Sequence, residues 1–488
     1  MVTTTGHSGC EEWLRLREDA TAELGADGRL LLSRGSKRFV LGPLAPELAH
    51  PLGVLFDAGA SAAELHSALP AGNDGASNQL ASVLERLDDR GWLQRVVSLD
   101  GVPLLTVKPL VARLSSAAAP SPSEGTVVLS RFTILHRSGS DIVLESPRSS
   151  AVAHLHDPRV GAFVTSLSRP RSSADLDAST LGLPVAVLDT VADLLVDAAL
   201  LVRDEDEEES TMGLAQWSLP DLLFHSRSRQ GRHANGYGAT WPLRDRFPPL
   251  PLIKPPGEQV ISLARPDLAT GAADEPSFTT VIERRQSVRV HDDAAPITVQ
   301  QLGEFLYRSA GVRHDVTAFS DGSRRPAGMA RPYPTGGALY ELELYPVVNR
   351  CQGLEPGLYH YDPLRHQLSV VTAGLTPGLE TLLQQTCAKT GMLQRPHVLL
   401  VLTAGFGKVM YKYEAIPYAT ILKNVGVLYQ TMYLVATAMG LAPCAVGGGD
   451  SDAFASLAGL EYYEETSVGE FLVGSRGASN QAANDRRP

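Results

Sequence analysis

The segment His397–Leu402 is the feature that most constrains how this chain can fold. After the histidine it is a continuous apolar run, Val-Leu-Leu-Val-Leu. An apolar run of this length, without alternating polar residues, is typical of a strand that is covered on both faces. The sequence therefore predicts a buried sheet in the second half of the chain.

A long helix is predicted shortly after this strand. It begins near Pro417, a residue suited to the first helical turn, and runs to Met439, before Gly440 and Pro443 end it. Apolar residues recur along it at alternating spacings of four and three, namely Ile421, Val425, Leu428, Met432, Val435 and Met439. This apolar stripe lies on one face of the helix, which predicts burial against a neighbouring element.

Length and charge limit the class of protein. The 488 residues exceed one ordinary core and suggest about three domains. A net charge of −11 argues against a nucleic-acid partner bound through phosphate contacts and favours a soluble enzyme. No apolar run reaches the ~18 residues that span a bilayer, so we expect no membrane partner.

The four cysteines are scattered without a CxxC pair, so neither a disulfide scaffold nor a zinc ribbon is indicated. We therefore expect a reducing cytoplasm as the compartment. His360 and His366 belong to a predicted hairpin without a cluster of further ligands, and they are interpreted as surface or structural histidines. No metal site is expected.

Two stretches of the N-terminal part share one plan: a strand pair, helices and a returning strand. The first covers residues 1–110 and includes the capping box Ser61-Ala62-Ala63-Glu64. The second covers residues 125–210. The strand pairs flank Arg34–Lys37 in the first stretch and Arg137–Ser140 in the second. The repeated plan predicts a tandem duplication of small winged-helix-like modules.

Segments without regular structure are predicted around these modules. Residues 115–124, rich in Ala, Ser and Pro, separate the two copies. Residues 211–274 contain the run Pro248-Pro249-Leu250-Pro251 and are interpreted as a connector. A packed connector without chemistry is the favoured reading of this stretch.

The motif Arg285-Gln286-Ser287-Val288-Arg289 places two guanidinium groups and a hydroxyl at alternate positions. Guanidinium groups match phosphate oxygens, and the short serine can hydrogen-bond to a cofactor without crowding it. A phosphorylated cofactor is therefore one interpretation. A solvated charge cluster on a helix face is the alternative.

Further motifs follow in a defined order. Pro334-Thr335-Gly336-Gly337 is a loop in which glycines let backbone approach a flat ligand, and Gly447-Gly448 is a second one after the long helix. Lys412-Tyr413 precedes that helix, and Arg476 follows the last predicted strand. Ordinary turns are the alternative for both glycine groups. The order of these motifs resembles the flavin-dependent nitroreductase-like superfamily, and within it the SagB/McbC-like azoline dehydrogenases.

The resemblance covers roughly residues 275–476 and implies an α+β fold. It implies a nitroreductase-like FMN-binding catalytic domain at 275–476, preceded by the tandem winged-helix-like modules and the connector and followed by a disordered tail at 477–488. The modules look like the leader-peptide recognition elements of peptide-modifying enzymes. A homodimer is also implied, with part of the apolar stripe between subunits. FMN agrees with the lack of a GxGxxG motif after a strand.

The resemblance also implies roles for individual residues. Around FMN it places Arg285, Ser287 and Arg289 at the phosphate, ribityl chain and pyrimidine edge, Arg476 at the phosphate, Pro334, Thr335, Gly336 and Gly337 along the ring, and Gly447 and Gly448 close to it. Gln286 stands where many relatives carry a second arginine, so that contact is in doubt.

Lys412 and Tyr413 are the expected catalytic pair, because azoline dehydrogenases carry a Lys-Tyr pair at the flavin face. Oxidation of an azoline to an azole removes a ring proton and a hydride, so a base beside the flavin is useful. The residues leave open which of the two is the base. A snorkelling surface lysine is the alternative reading.

The expected function is FMN-dependent oxidation of thiazolines or oxazolines on a ribosomally synthesised precursor peptide. A separate YcaO-type cyclodehydratase would form the rings, and oxygen would reoxidise the flavin. Two alternatives stay open: an NAD(P)H-dependent nitro- or quinone reductase of the same fold, and a flavin-containing DNA-binding redox sensor. The negative net charge counts against the DNA-binding alternative.

Overall fold

The computed structural model describes residues 9–35, 37–111, 125–172, 175, 181–203, 206–271, 275–313 and 330–477. The predicted linker 115–124 and the predicted tail, apart from Gly477, lie outside these residues. The chain divides into two compact units, Met1–Asn235 and Gly236–Pro488. The finer domain boundaries from the sequence stay predictions.

The first unit is built from antiparallel strands and short helices. Its strands are β1 (Cys10–Leu16), β2 (Thr21–Leu24), β3 (Leu30–Arg34), β4 (Lys37–Leu41), β5 (Leu93–Leu99), β6 (Val102–Pro109), β7 (Val128–Leu129), β8 (Ile134–Ser138), β9 (Asp141–Glu145), β10 (Ala151–Leu155) and β11 (Leu201–Val202). Its helices are α1 (Ala49–Asp57), α2 (Ala62–Ser67), α3 (Asp74–Asp89), α4 (Pro158–Ser166), α5 (Val185–Asp197), α6 (Glu207–Ser210), α7 (Met212–Ala215) and α8 (Leu219–Arg227).

Both predicted hairpins of this unit, β3–β4 and β8–β9, are confirmed, and the capping box at Ser61 is present. The two halves nevertheless share one six-stranded sheet with the order β1-β5-β6-β10-β9-β8. Strand β6 of the first half pairs with β10 of the second, where Val107 lies opposite Ala153. One hydrophobic core contains residues of both halves, for example Leu104 and Leu195. Two separate winged-helix-like modules are therefore not confirmed.

The second unit contains a seven-stranded antiparallel sheet. Its strands are β12 (Val260–Ser262), β13 (Leu342–Val348), β14 (Gly357–Asp362), β15 (Gln367–Ala373), β16 (Val398–Gly405), β17 (Ala442–Val446) and β18 (Glu465–Gly474). Its helices are α9 (Leu268–Gly271), α10 (Phe278–Arg284), α11 (Val299–Ala310), α12 (Pro377–Thr390), α13 (Phe406–Met410), α14 (Pro417–Ala438) and α15 (Ser451–Ala458). The strand order is β12-β15-β14-β13-β16-β18-β17.

Helices cover both faces of this sheet, which confirms the prediction of a buried strand at 398–402. Alternate residues of β16 point to opposite sides: Leu400 joins the core beneath α11 and α14, whereas Leu399 joins the core beneath α12 and α15. Both side chains are fully buried. The unit is thus a layered α+β structure. Among the described residues, no helix is long and apolar enough to cross a membrane.

Helix α14 confirms the predicted long helix, and the centre of its stripe lies in the core of its own chain. Ile421, Val425, Leu428 and Met432 are all buried against the sheet and α11. The stripe was expected to be partly intersubunit, but these four side chains are already covered within one chain. These four buried residues therefore cannot form the contact between two subunits, and a homodimer would have to be formed by other residues.

Two leucines of α14 offer a matched test of this burial. Leu428 is fully buried, whereas Leu422 is 38 % exposed on the other side of the helix. We expect Leu428→Ala to lower the free energy of unfolding by about 2–5 kcal/mol, because it removes core contacts and leaves a cavity. Leu422→Ala should change it by about 0.5 kcal/mol or less. Urea unfolding measures both, and similar losses would contradict this assignment of the buried face.

Candidate active site

The loop in front of β13 is fixed by two backbone donors. Gly336–Ala338 forms a 3-10 turn, and the N–H of Tyr340 donates to Thr335 Oγ1 at 3.2 Å. The N–H of Gly336 donates to Asn424 Oδ1 on α14, also at 3.2 Å. These bonds hold the predicted glycine loop against the N-terminal half of α14.

Lys412 and Tyr413 lie directly against this loop. They follow α13, and the N–H of Tyr413 donates to the carbonyl of Val409 at 2.9 Å. Gly337 has a φ of 67°, which favours glycine. A Cβ at Gly337 would lie 2.5 Å from the Tyr413 hydroxyl oxygen and 2.8 Å from Lys412 Nζ. The close approach of the two motifs therefore requires glycine at this position.

Aromatic rings surround the amine of Lys412. Its Nζ lies 5.1 Å from the ring centroid of Tyr413 and 5.5 Å from that of Trp241. Carboxylates of the described residues pair with other lysines, such as Lys254 and Lys408, and none forms an ion pair with Lys412. Lys412 is thus a half-buried lysine without a carboxylate partner among the described residues.

A buried carboxyl group supports the glycine loop from behind. Glu341 is fully buried, and its Oε1 accepts a 2.6 Å hydrogen bond from Asn424 Nδ2. Burial raises the pKa of Glu341, against the smaller opposing effect of the bond from Asn424. Asn424 therefore links Glu341 on one side to the backbone of Gly336 on the other.

The predicted arginine motif lies along β17. The N–H of Val288 donates to the carbonyl of Pro443 at 2.8 Å. Ser287 Oγ and the hydroxyl of Tyr433 are hydrogen-bonded at 2.7 Å, and Arg285 Cζ lies 5.2 Å from the centroid of the Tyr433 ring. Tyr433 of α14 therefore organises the start of the motif.

Arg289 is exposed and interacts with the thiol of Cys444. Burial raises the pKa of this thiol, although the charge of Arg289 and a hydrogen bond with Ser287 act in the opposite direction. Within the described ranges, no carboxylate forms an ion pair with Arg285 or Arg289. Two guanidinium groups without a carboxylate partner fit an anionic group such as the phosphate of FMN.

The other predicted cofactor residues lie at the ends of neighbouring strands. Gly447 and Gly448 are exposed and follow β17, and a Cβ on either would meet no described atom within 4 Å. Arg476 follows β18, which pairs with β17. Because β17 and β18 are antiparallel, with Ala442 opposite Gly474 and Val446 opposite Glu470, Gly447 and Gly448 follow one end of this strand pair and Arg476 follows the other. The arginine motif lies against β17 between them, at Pro443.

Helix α14 separates the predicted site residues into two groups. Asn424 and Thr420 contact Gly336, whereas Tyr433 contacts the arginine motif. These positions are nine to thirteen residues apart, or roughly 13–20 Å along the axis at about 1.5 Å per residue. One chain thus brings Gly336 and Gly337 together with Lys412 and Tyr413, at a distance from Arg285, Ser287 and Arg289.

Sequence reasoning missed four residues that organise these groups: Trp241, Glu341, Asn424 and Tyr433. A polar residue in the buried part of a core helix is a signal that could have identified Asn424. The two histidines interpreted as surface or structural are both buried. His360 bonds to Glu343 at 3.1 Å and His366 to Tyr361 at 2.9 Å. Over the described residues, no group of three or more His, Cys, Asp or Glu could hold a metal ion.

Two family models match the chain. Residues 127–234 match the model for the cyanobactin oxidase ThcOx. Residues 282–475 match the model of the nitroreductase family, and this range contains the predicted site residues except Arg476, which follows it directly. The second match agrees with the α+β fold of the second unit.

Individual relatives match parts of the chain. It is 35 % identical over 130 residues to the microcin B17-processing protein McbC of Escherichia coli, which covers 26 % of this chain and 46 % of that protein. It is 27 % identical over 174 residues to MJ1384 of Methanocaldococcus jannaschii, a protein named as a nitroreductase. This match covers 36 % of this chain and 80 % of that protein. Among solved structures, a chain of the E. coli microcin synthetase McbBCD complex with truncated pro-MccB17 is 22 % identical to this chain, with a TM-score of 0.33. This match covers 49 % of this chain and 82 % of that chain.

A matched pair of glycines tests the contact between the loop and the predicted catalytic pair, Lys412 and Tyr413. Gly337 and Gly440 both have a φ of 67°, but a Cβ at Gly440 would meet nothing within 4 Å. We expect Gly440→Ala to destabilise the protein by about 1 kcal/mol through its backbone alone. Gly337→Ala should cost roughly 1–3 kcal/mol more, because Lys412 and Tyr413 must move. Equal losses in chemical denaturation would contradict a tight contact.

Proposed function

We propose that residues 282–475, which match the nitroreductase family, form a SagB/McbC-like domain and that the protein uses FMN to oxidise azolines. The substrate would be a ribosomally synthesised peptide carrying thiazolines or oxazolines, which become thiazoles or oxazoles. The names of the matched proteins, a cyanobactin oxidase and a microcin-processing protein, support this class of substrate.

The close packing of Lys412 and Tyr413 on Gly337 is the observation that carries the proposal. Aromatisation of an azoline removes a ring proton and a hydride. When bound, FMN supplies the acceptor for the hydride. The Lys412 amine, which forms no ion pair with a described carboxylate, would take the proton, and the Tyr413 hydroxyl would orient the ring or relay the proton.

The arginine motif and its neighbours would hold the cofactor. Arg285 and Arg289 carry charge without a carboxylate partner among the described residues, which suits a phosphate or a pyrimidine edge. Ser287 would reach the ribityl chain, and Arg476 would add charge at the phosphate. The backbone of Gly447 and Gly448 is exposed and would approach the ring, and Pro334 and Thr335 would line it with the glycine loop.

We propose a homodimer on the basis of the separation along α14. Roughly 13–20 Å lie between the two groups of residues in one chain, so a cofactor bound at the arginine motif would not meet the Lys412 group of the same chain side by side. A two-fold axis would bring the arginine motif of one copy to the glycine loop of its partner. Each site would then be shared by two chains.

The remaining partners are proposed on the same basis. A YcaO-type cyclodehydratase would supply the azolines, oxygen would accept the electrons, and the first unit would bind the leader of the precursor peptide. The match of residues 127–234 to a cyanobactin oxidase supports a peptide-related role for this unit. We propose the cytoplasm as the compartment, consistent with the four free cysteines.

A reductase that uses NAD(P)H is the second candidate, because residues 282–475 match the nitroreductase family and the relative MJ1384 is named as a nitroreductase. The two functions differ in what reduces the flavin. Rapid bleaching of bound FMN by NADPH without a peptide would favour the reductase, whereas bleaching only by an azoline peptide would favour the dehydrogenase.

Two lysines near α14 provide the main test. We expect purified protein with FMN and oxygen to remove two hydrogen atoms per azoline ring, measured by mass spectrometry. Lys412→Ala should keep FMN bound but slow oxidation on the order of 10²-fold or more, because the base is lost. Lys423→Ala, which changes an exposed lysine of α14, should retain activity. An inactive wild type, or a Lys412→Ala variant that fails only by losing FMN, would overturn the proposal.

A complementation experiment tests the shared site. One variant carries Arg285→Ala with Arg289→Ala, the other Lys412→Ala, and each homodimer should be inactive. Mixed dimers, isolated with two affinity tags, should regain about half of the wild-type activity, since one of their two sites then carries no substitution. Arg395→Ala is the control for loss of an arginine, because Arg395 pairs with Glu380 outside the site. Mixed dimers that stay inactive would place both groups in a site of one chain.

A further inference from the structure

The connector between the two predicted halves of the protein reaches the catalytic lysine. Sequence reasoning favoured a packed connector without chemistry for residues 211–274. In the second unit, however, the N–H of Trp241 donates a 3.1 Å hydrogen bond to the carbonyl of Lys412. The centre of its indole lies 5.5 Å from Lys412 Nζ. Trp241 therefore contacts both the backbone and the amine of the proposed base.

The backbone on either side of Trp241 is tied to the segment that follows Lys412. Gly238 and Glu414 exchange two backbone hydrogen bonds of 3.1 and 2.9 Å. Thr240 Oγ1 also donates to the carboxylate of Glu414 at 3.0 Å. These bonds form a short antiparallel bridge, and Trp241 stands at its end. The bridge therefore fixes the position of the Trp241 backbone, from which the indole projects.

The backbone conformation of Trp241 is one that large side chains rarely adopt. Its φ is 58°, in the left-handed region. Such a conformation persists only when surrounding contacts hold it. Residues with strained backbone conformations of this kind cluster at functional sites. The indole is held by the edge of Tyr411 at 6.2 Å and by Arg244, whose Cζ lies 4.4 Å from the ring centroid. The direction of the indole is thus set by its neighbours.

The amine needs such a support because a lysine side chain is long and flexible. No carboxylate among the described residues anchors Lys412, and the rings of Trp241 and Tyr413 are the groups that face its Nζ. The face of an aromatic ring attracts an ammonium group without accepting its proton. The two rings therefore limit where the amine can lie without forming an ion pair with it.

We propose that Trp241 is a positioning residue that keeps the amine of Lys412 over Gly337, where the azoline ring is oxidised. The role of the azoline rests on the proposed function, but the placement of the amine does not. An aromatic ring at position 241 should suffice for this role, whereas an aliphatic side chain of similar bulk should not.

Three variants separate this role from simple packing. Trp241→Phe keeps an aromatic face, and Trp241→Leu keeps bulk without one. Leu250→Ala is the matched control, because Leu250 belongs to the same connector but packs on Gly407. We expect the Leu variant to lose on the order of 10- to 100-fold in kcat with FMN content unchanged, since a small displacement of a catalytic group has effects of this size. The Phe variant and Leu250→Ala should stay within a few-fold of wild type.

A spectroscopic readout follows the amine directly. Reductive methylation with ¹³C-formaldehyde labels the lysines, of which the chain has Lys37, Lys108, Lys254, Lys389, Lys408, Lys412 and Lys423. The signal of Lys412, assigned by its loss in Lys412→Arg, should show nuclear Overhauser contacts to the ring protons of Tyr413, whose centroid lies 5.1 Å from Nζ. These contacts should persist in Trp241→Phe and be lost in Trp241→Leu.

The two measurements distinguish the failure of each proposal. Contacts to Tyr413 that are lost in Trp241→Leu support the positioning role even if the wild type does not oxidise azolines, and then only the proposed function is wrong. A Lys412 signal without these contacts in the wild type, or with unchanged contacts in Trp241→Leu, overturns the positioning role. Loss of kcat in Trp241→Leu with unchanged contacts overturns it as well.

Discussion

The burial of one face of α14 is the constraint on which the candidate site depends. Leu428 and Met432 fix the helix on the sheet, and polar residues beside this buried face then reach two different parts of the chain. Asn424 accepts a hydrogen bond from the backbone N–H of Gly336, and the hydroxyl of Tyr433 is hydrogen-bonded to Ser287. The apolar core therefore sets the spacing between the proposed base and the proposed cofactor residues.

A buried ionic network fixes the connector next to this site. Burial disfavours the charge of Glu343, but the hydrogen bond from His360 and the charge of Lys408 outweigh it and lower the pKa of Glu343 to about 2. Lys408 Nζ lies 2.9 Å from Glu343 and also donates to the carbonyl of Leu252 in the connector. The connector thus completes the coordination of a buried charge, which is a physical reason for its path across this unit.

Local signals predicted the elements of the second unit well. The apolar run identified β16, the stripe identified α14, and the loop at Asp362–His366 identified the hairpin β14–β15. Local signals did not indicate which strands pair with each other across the first unit. Strand β6 pairs with β10, and this pairing joins the two halves that were predicted to be separate modules because they share one plan. Trp241 was missed for the same reason, because its contact with Lys412 spans a long stretch of sequence that no local pattern describes.

The family resemblance implied a single group of site residues, whereas the structure divides these residues into two groups along α14. The arginine motif depends on Tyr433 and β17, and the Lys412 group depends on Asn424, Gly337 and the connector. Both depend on the buried face of α14, so a substitution in this face would disturb both groups together. Substitutions of side chains outside the core, in one group or the other, can separate the proposed cofactor binding from the proposed proton transfer. The division along α14 therefore also determines which variants are informative about the mechanism.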